Sequence, residues 1–200
     1  MNEKFFDLKK EKQDRMINAA LKVFARNGYS HSSTDEIVAE AAISKGLLFH
    51  YFGSKLGLYA FLFDYSTRFA ILELRSGVEQ GEFDFYSLQQ QIAEAEAAVT
   101  RQYPYLLLFL ESAAEETDAE ARAAVAPGRS QLPNCYRNLE ARADCAALGK
   151  NSDAAKLSRM IRFTKIGLLR RQFCDPELRP DAIYREVTEY LALLQRLMTR

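Results

Sequence analysis

The chain has 200 residues, enough for one large or two small domains, and its 48% hydrophobic content excludes wholesale disorder. The formal net charge of zero hides an uneven distribution: +2 over residues 1–55, −6 over 56–150 and +4 over 151–200, so any contact with nucleic acid must gather its cations on one face. No run approaches the roughly 18 apolar residues of a membrane span, and the charged start MNEKFFDLKKEKQDR lacks a signal-peptide core. A cytoplasmic chain with no membrane partner is expected. Cys135, Cys145 and Cys174 are scattered and form no CxxC, so buried thiols are expected rather than a disulfide framework, a metal site or a cofactor.

Helical spacing prevails along the whole chain. Ile17, Ala20, Leu21 and Phe24 fall at i, i+3, i+4 and i+7 and predict a helix over about Leu8–Arg26, stopped by Asn27-Gly28. Ser33 with Glu36 fits a capping box for a short second helix. After a turn at Ala42, Ser44 caps a third helix, Lys45–Tyr51, which is too short to be stable alone. Leu48 and Phe52 anchor it inward, while Lys45, Leu47, His50 and Tyr51 are left to point elsewhere. Such a helix makes sense as something presented to a partner, and its side chains suggest DNA. Ser54 caps a long fourth helix to Ser76, and residues 78–84 read as a loop.

A fifth helix spans about Phe85–Gln102, and Pro104 opens a sixth. Thr117 with Glu120 offers a capping box for a seventh, ending before Pro127-Gly128. Pro133 starts an eighth that closes at Gly149. Ser152 caps a ninth, about Asp153–Phe173; Pro176 and Pro180 punctuate the break before a tenth, which runs to about Met198. The chain therefore reads as all-α with about ten helices. The last two carry broad apolar faces, among them Ile161, Leu168, Val187, Leu191 and Leu194. These faces either pack on their own domain or meet a second copy as a four-helix interface.

The stretch AAISKGLLFHYFGSK, behind a helix ending in Phe24 and Gly28 and a Ser-capped helix carrying Ile37, closely resembles the TetR (tetracycline-repressor) family of bacterial transcriptional regulators. The resemblance covers about Met16–Leu58. It implies a three-helix helix-turn-helix DNA-binding domain over 1–54 and a helical effector-binding and dimerisation domain over 55–200, with 55–76 as the connecting helix. By the same resemblance, Lys45–Tyr51 is the recognition helix of the major groove. Lys45, Gly46 and Leu47 would approach bases, His50, Tyr51 and Lys55 would hold phosphates, and Ser33 and Thr34 would offer a helix N-terminus to a phosphate. Two positions depart from the family pattern. Ala42 replaces a turn glycine, and Phe49 replaces a tyrosine and so lacks a hydroxyl for a phosphate.

The resemblance further implies a homodimer on a palindromic operator, a small-molecule effector of unspecified identity, and repression as the usual mode. Phe61, Tyr65, Phe69, Tyr103, Tyr105 and Phe109, with Phe63 and Leu108, are candidates to line an apolar effector cavity, and core packing explains the same residues. The acidic Glu94, Glu96, Glu111 and Glu115 fit either a cationic ligand or a solvated face. Both histidines, His31 and His50, lie in the N-terminal region, and no P-loop or dinucleotide fingerprint is present, so no enzyme is expected. The competing readings are a helical interaction module whose head no longer reads DNA, or an enzyme.

Overall fold

The computed structural model describes residues 3–81, 83–146, 148, 153–175 and 179–198. Ten α-helices lie among them: α1 (Lys10–Asn27), α2 (Thr34–Ala41), α3 (Lys45–Phe52), α4 (Lys55–Gly77), α5 (Phe85–Gln102), α6 (Leu106–Ala114), α7 (Ala119–Val125), α8 (Gln131–Glu140), α9 (Ala154–Arg170) and α10 (Pro180–Met198). They form two compact units, residues 1–69 with 102–131 and residues 70–101 with 132–200. No helix among the described residues is long and apolar enough to cross a membrane.

In the first unit α1 buries Met16, Ile17, Ala20, Leu21 and Phe24. Gly28, at φ 68°, ends the helix by donating its N–H to the Phe24 carbonyl. A short 3₁₀ turn, Glu3–Phe5, precedes it. Phe5 is fully buried there and touches Tyr51, Phe52 and Phe61. The buried Gln13 amide holds this arm by donating to the carbonyls of Phe6 and Leu8. The α6–α7 connection closes on the α1–α2 loop through Glu116. That carboxylate accepts from the backbone N–H of Tyr29 at 2.7 Å, Thr117 at 2.9 Å and Asp118 at 3.0 Å. Burial works against its ionisation, but these donors outweigh it and hold the Glu116 carboxyl below its ordinary range.

The six rings expected to line an effector cavity all fall in this unit, where Phe61, Tyr65, Phe69, Tyr103 and Phe109 pack on other rings. Phe109 sits on Phe24 and Tyr59, and Phe61 on Phe5 and Phe52. Tyr65 and Phe69 meet the buried Tyr103 edge-on at 5.8 and 5.1 Å. The Tyr103 hydroxyl donates to Asp14 at 2.6 Å and lies 2.7 Å from the Tyr65 hydroxyl. Burial and then the Asp14 carboxylate push the phenol well above its ordinary range. Tyr105 is half-buried. The five rings in contact follow edge-to-face and tilted preferences of aromatic packing.

In the second unit Leu74, Val78, Leu88, Ile92, Ala95, Cys135 and Leu139 form one core cluster. A Cβ on Gly77 would lie 3.0 Å from that of Ala95, so glycine permits the close approach of α4 and α5 there. Residues 83–84 and 143–144 pair as two short parallel strands. The sequence reading took the first as loop and the second as helix; α8 in fact stops at Glu140. Gly149, Ser152 and Pro176 lie outside the described residues, and the α9 cap is Asp153, which accepts from the Lys156 N–H.

The expected dimer residues lie largely at the α9–α10 contact within the chain. Ile161, Leu168, Val187 and Leu191 are buried where α9 packs on α10, and Leu194 is half-buried beside them. The large apolar residues that α9 and α10 leave exposed are Met160, Phe163, Tyr190, Leu193 and Leu197. Periodicity finds the richest apolar stripe, and that stripe is consumed by the helix partner in the same chain.

Candidate nucleic-acid interface

The α2–turn–α3 unit is built by its caps. The Ser33 hydroxyl accepts from the Asp35 N–H and the Ser44 hydroxyl from the Leu47 N–H. The expected capping boxes are not completed. Glu36 accepts from the Asn27 amide instead, and α7 is capped by Asp118 rather than Thr117. Ala42 ends α2 at φ 52° and ψ 52°, a left-handed conformation at the position where the family pattern has glycine. Beneath, Leu48 and Phe52 are buried and anchor α3. Ser54 caps α4 by accepting from Gly57.

Ser33, Thr34, Lys45 and Lys55 line one open concavity together with Ser32, Phe49, Gly53 and Ser54. The N-termini of α2 and α4 border it, so capping hydroxyls, helix-terminal N–H groups and two cations share one surface, a combination suited to phosphate. Phe49, set aside in the sequence reading, is half-buried on that surface. Lys45, Gly46 and His50 are exposed on α3, with Leu47 half-buried among them. A Cβ on Gly46 would meet nothing within 4 Å, so nothing inside the chain requires glycine there.

One expected site residue is turned inward, and two carry partners within the chain. Tyr51 is turned inward, 9% exposed, with its ring 5.7 Å from that of Phe5. Its position one turn from Leu48 puts it on the anchoring face, so its first role is to seat α3. The Lys55 ammonium donates to the carbonyls of Tyr29 at 2.9 Å and Ser32 at 3.2 Å, and stands 4.3 Å from the centre of the Tyr29 ring. It ties down the loop that carries Ser33 before it meets any partner. Lys45 grips both Asp35 oxygens at 2.8 and 3.0 Å. Both groups of that pair are solvent-exposed, and such a pair is worth no more than about 1 kcal/mol. Asp35 is therefore a partner that a competing anion can displace at little cost.

Two positioning residues escaped the sequence reading. Phe5 wedges under α3, and the adjacent aromatics Phe5-Phe6 in an otherwise charged segment were the available signal. Gly57 has a backbone reason to be glycine, since a Cβ would lie 2.1 Å from the Phe52 carbonyl oxygen. It lets α3 and α4 meet at a tight corner.

Comparison with known proteins decides the relationship. Residues 16–61 match the model of the bacterial regulatory proteins of the tetR family. The N-terminal region is similar to the tetR family's domain. It is 45% identical over 56 residues to the uncharacterized HTH-type transcriptional regulator YuxN of Bacillus subtilis (strain 168), which accounts for 28% of this chain and 19% of that protein. The chain thus spans about a fifth of the length of that curated relative. The fold is shared with solved TetR-family structures. A TetR family transcriptional regulator from Chloroflexus aurantiacus J-10-FL covers 100% of this chain and 98% of its own at TM-score 0.62 and 20% identity. The ketosteroid transcriptional regulator KstR2 of Mycobacterium tuberculosis covers 96% and 97% at TM-score 0.68 and 18% identity. The match to the TetR model begins in α1 and ends in α4, so it contains the whole α2–turn–α3 unit.

Proposed function

We propose that this chain is a DNA-binding transcriptional regulator, acting in its family's usual mode as a repressor. It binds a palindromic duplex operator as a homodimer and is modulated by a small-molecule effector. Residues 1–54 serve as the reading domain and 55–200 as the effector and dimerisation domain, joined by the helix that starts at Lys55. The observation that carries the reading is the exposed Lys45-Gly46-Leu47 edge of α3, where glycine serves no internal packing need. A bare backbone beside a displaceable lysine suits close approach to a duplex. The surface apolar stripe of Met160 and Phe163 on α9 and Tyr190, Leu193 and Leu197 on α10 supports the homodimer, because exposed large apolar side chains gathered on neighbouring helices mark association surfaces.

A gel shift with the promoter neighbouring the gene, run at two salt concentrations, tests the reading. Sequence-specific retardation that weakens as salt rises is expected. Equal affinity for scrambled DNA, or none, would favour a helical interaction module whose head no longer reads DNA.

A further inference from the structure

From the second unit we infer a binding site for a small organic dianion, bearing carboxylate or phosphate groups, in the cavity between α5, α8 and α9; its role as the effector site rests on the regulator reading above. The cavity has a volume of about 430 Å³, inside the roughly 300–1,000 Å³ range of small-molecule sites. Its α9 wall is one helical face, Ala155, Ser158, Arg159, Arg162 and Lys165, at i, i+3, i+4, i+7 and i+10. Arg137 and Glu140 come from α8, and Gln89, Ile92 and Glu96 from α5.

The charges are arranged in two tiers. On the floor, Lys165 and Glu96 are each 6% exposed in their side chains and pair at 2.7 and 2.9 Å. The Tyr136 hydroxyl donates to the same carboxylate at 2.8 Å. This pair is mutually neutralised. At the rim stand the exposed Arg137, Arg159 and Arg162 and the half-buried Glu140. Among the described residues, the guanidinium groups of Arg137 and Arg159 have no ion-pair or hydrogen-bond partner. Guanidinium forks suit bidentate capture of carboxylate or phosphate. The Gln89 amide, donating to the Ser158 hydroxyl at 3.1 Å, and the Ile92 side chain leave a mixed surface for the body of the ligand. The acidic stretch of α5 therefore faces no cationic ligand at Glu96, whose partner is already built in.

The test is a thermal-shift and calorimetric titration of the full chain with succinate, phenyl phosphate and, as the neutral isostere, succinamide, at ionic strength held constant with sodium chloride. Saturable binding of at least one dianion is expected, with none by succinamide. Arg159→Gln and Arg137→Gln are expected to weaken that binding at least tenfold. Because both side chains are exposed, the unliganded variants are expected to melt with the wild type. Binding of neither dianion, binding of succinamide equal to succinate, or unchanged affinity in both arginine variants would overturn the site. The titration contains no DNA. Failure of the gel shift would therefore sink the regulator reading and leave this site standing, whereas loss of dianion binding beside an intact gel shift would sink this inference alone.

Discussion

Ala42 holds the turn between α2 and α3 in the left-handed region, where a Cβ costs about 1–2 kcal/mol. Glycine would avoid that clash but lose about 0.5–1 kcal/mol of backbone entropy on folding. Ala42→Gly is therefore expected to raise the stability measured by urea denaturation by about 0.5–1 kcal/mol. Lys45 and Lys55 separate by what they touch. Lys45 has one exposed and displaceable partner, so Lys45→Ala is expected to leave stability within about 0.5 kcal/mol and to change base preference as well as affinity. Lys55 holds two loop carbonyls and a tyrosine face, so Lys55→Ala is expected to lower stability by about 1–2 kcal/mol and to weaken all duplexes alike. Denaturation curves beside gel shifts on operator and mutated operator distinguish the two. The turn conformation at Ala42 and the Ser33 and Ser44 caps were legible in the sequence because they are local. The inward turn of Tyr51 and the loop-holding role of Lys55 were not, since Phe5 and Tyr29 reach them from other parts of the chain.

At the scale of elements, helix limits followed from caps and breakers to within a few residues over α1 to α7. The second half of α8 did not, because the short pairing of residues 143–144 with 83–84 is non-local and leaves no periodic signal. Two contacts between elements carry predictions. The buried Lys165–Glu96 pair ties α9 to α5, and removing one partner strands the other charge away from water. Lys165→Met is expected to destabilise by about 3–5 kcal/mol, and adding Glu96→Leu to recover most of that loss, as read by chemical denaturation of the single and double variants. Glu116 ties the α6–α7 connection to the α1–α2 loop. Its folded carboxyl titrates below the ordinary value, so its contribution is present above the unfolded range and is lost as pH falls through the lowered folded value. The stability gap between wild type and Glu116→Gln is expected to narrow between about pH 7 and about pH 3, as measured by thermal melts. A gap that widened on acidification would contradict the assignment.

For the molecule as a whole, the fold class and the likeness of residues 16–61 to the tetR family were legible in the sequence, since a helix-turn-helix is a local object. Which part of the apolar faces of α9 and α10 stays exposed was not, because that depends on how the two helices pack. Ile161, Leu168, Val187 and Leu191 belong to the strongest apolar period, and that period is spent inside the protomer, while the less regular stripe of Met160, Phe163, Tyr190, Leu193 and Leu197 stays outside. Introducing Phe163→Glu with Leu193→Glu is therefore expected to give a folded monomer by light scattering, with operator affinity reduced by more than tenfold. A variant that remained dimeric would move the interface elsewhere. The central claim is that two copies of α3 read two half-sites, and the most direct measurement is selection of bound sequences from a random duplex library by the full chain. Enrichment is expected of a pseudo-palindrome whose half-sites are centred about one helical turn, or a whole multiple of it, apart. Enrichment of a single unpaired site, or of no sequence at all, would contradict it.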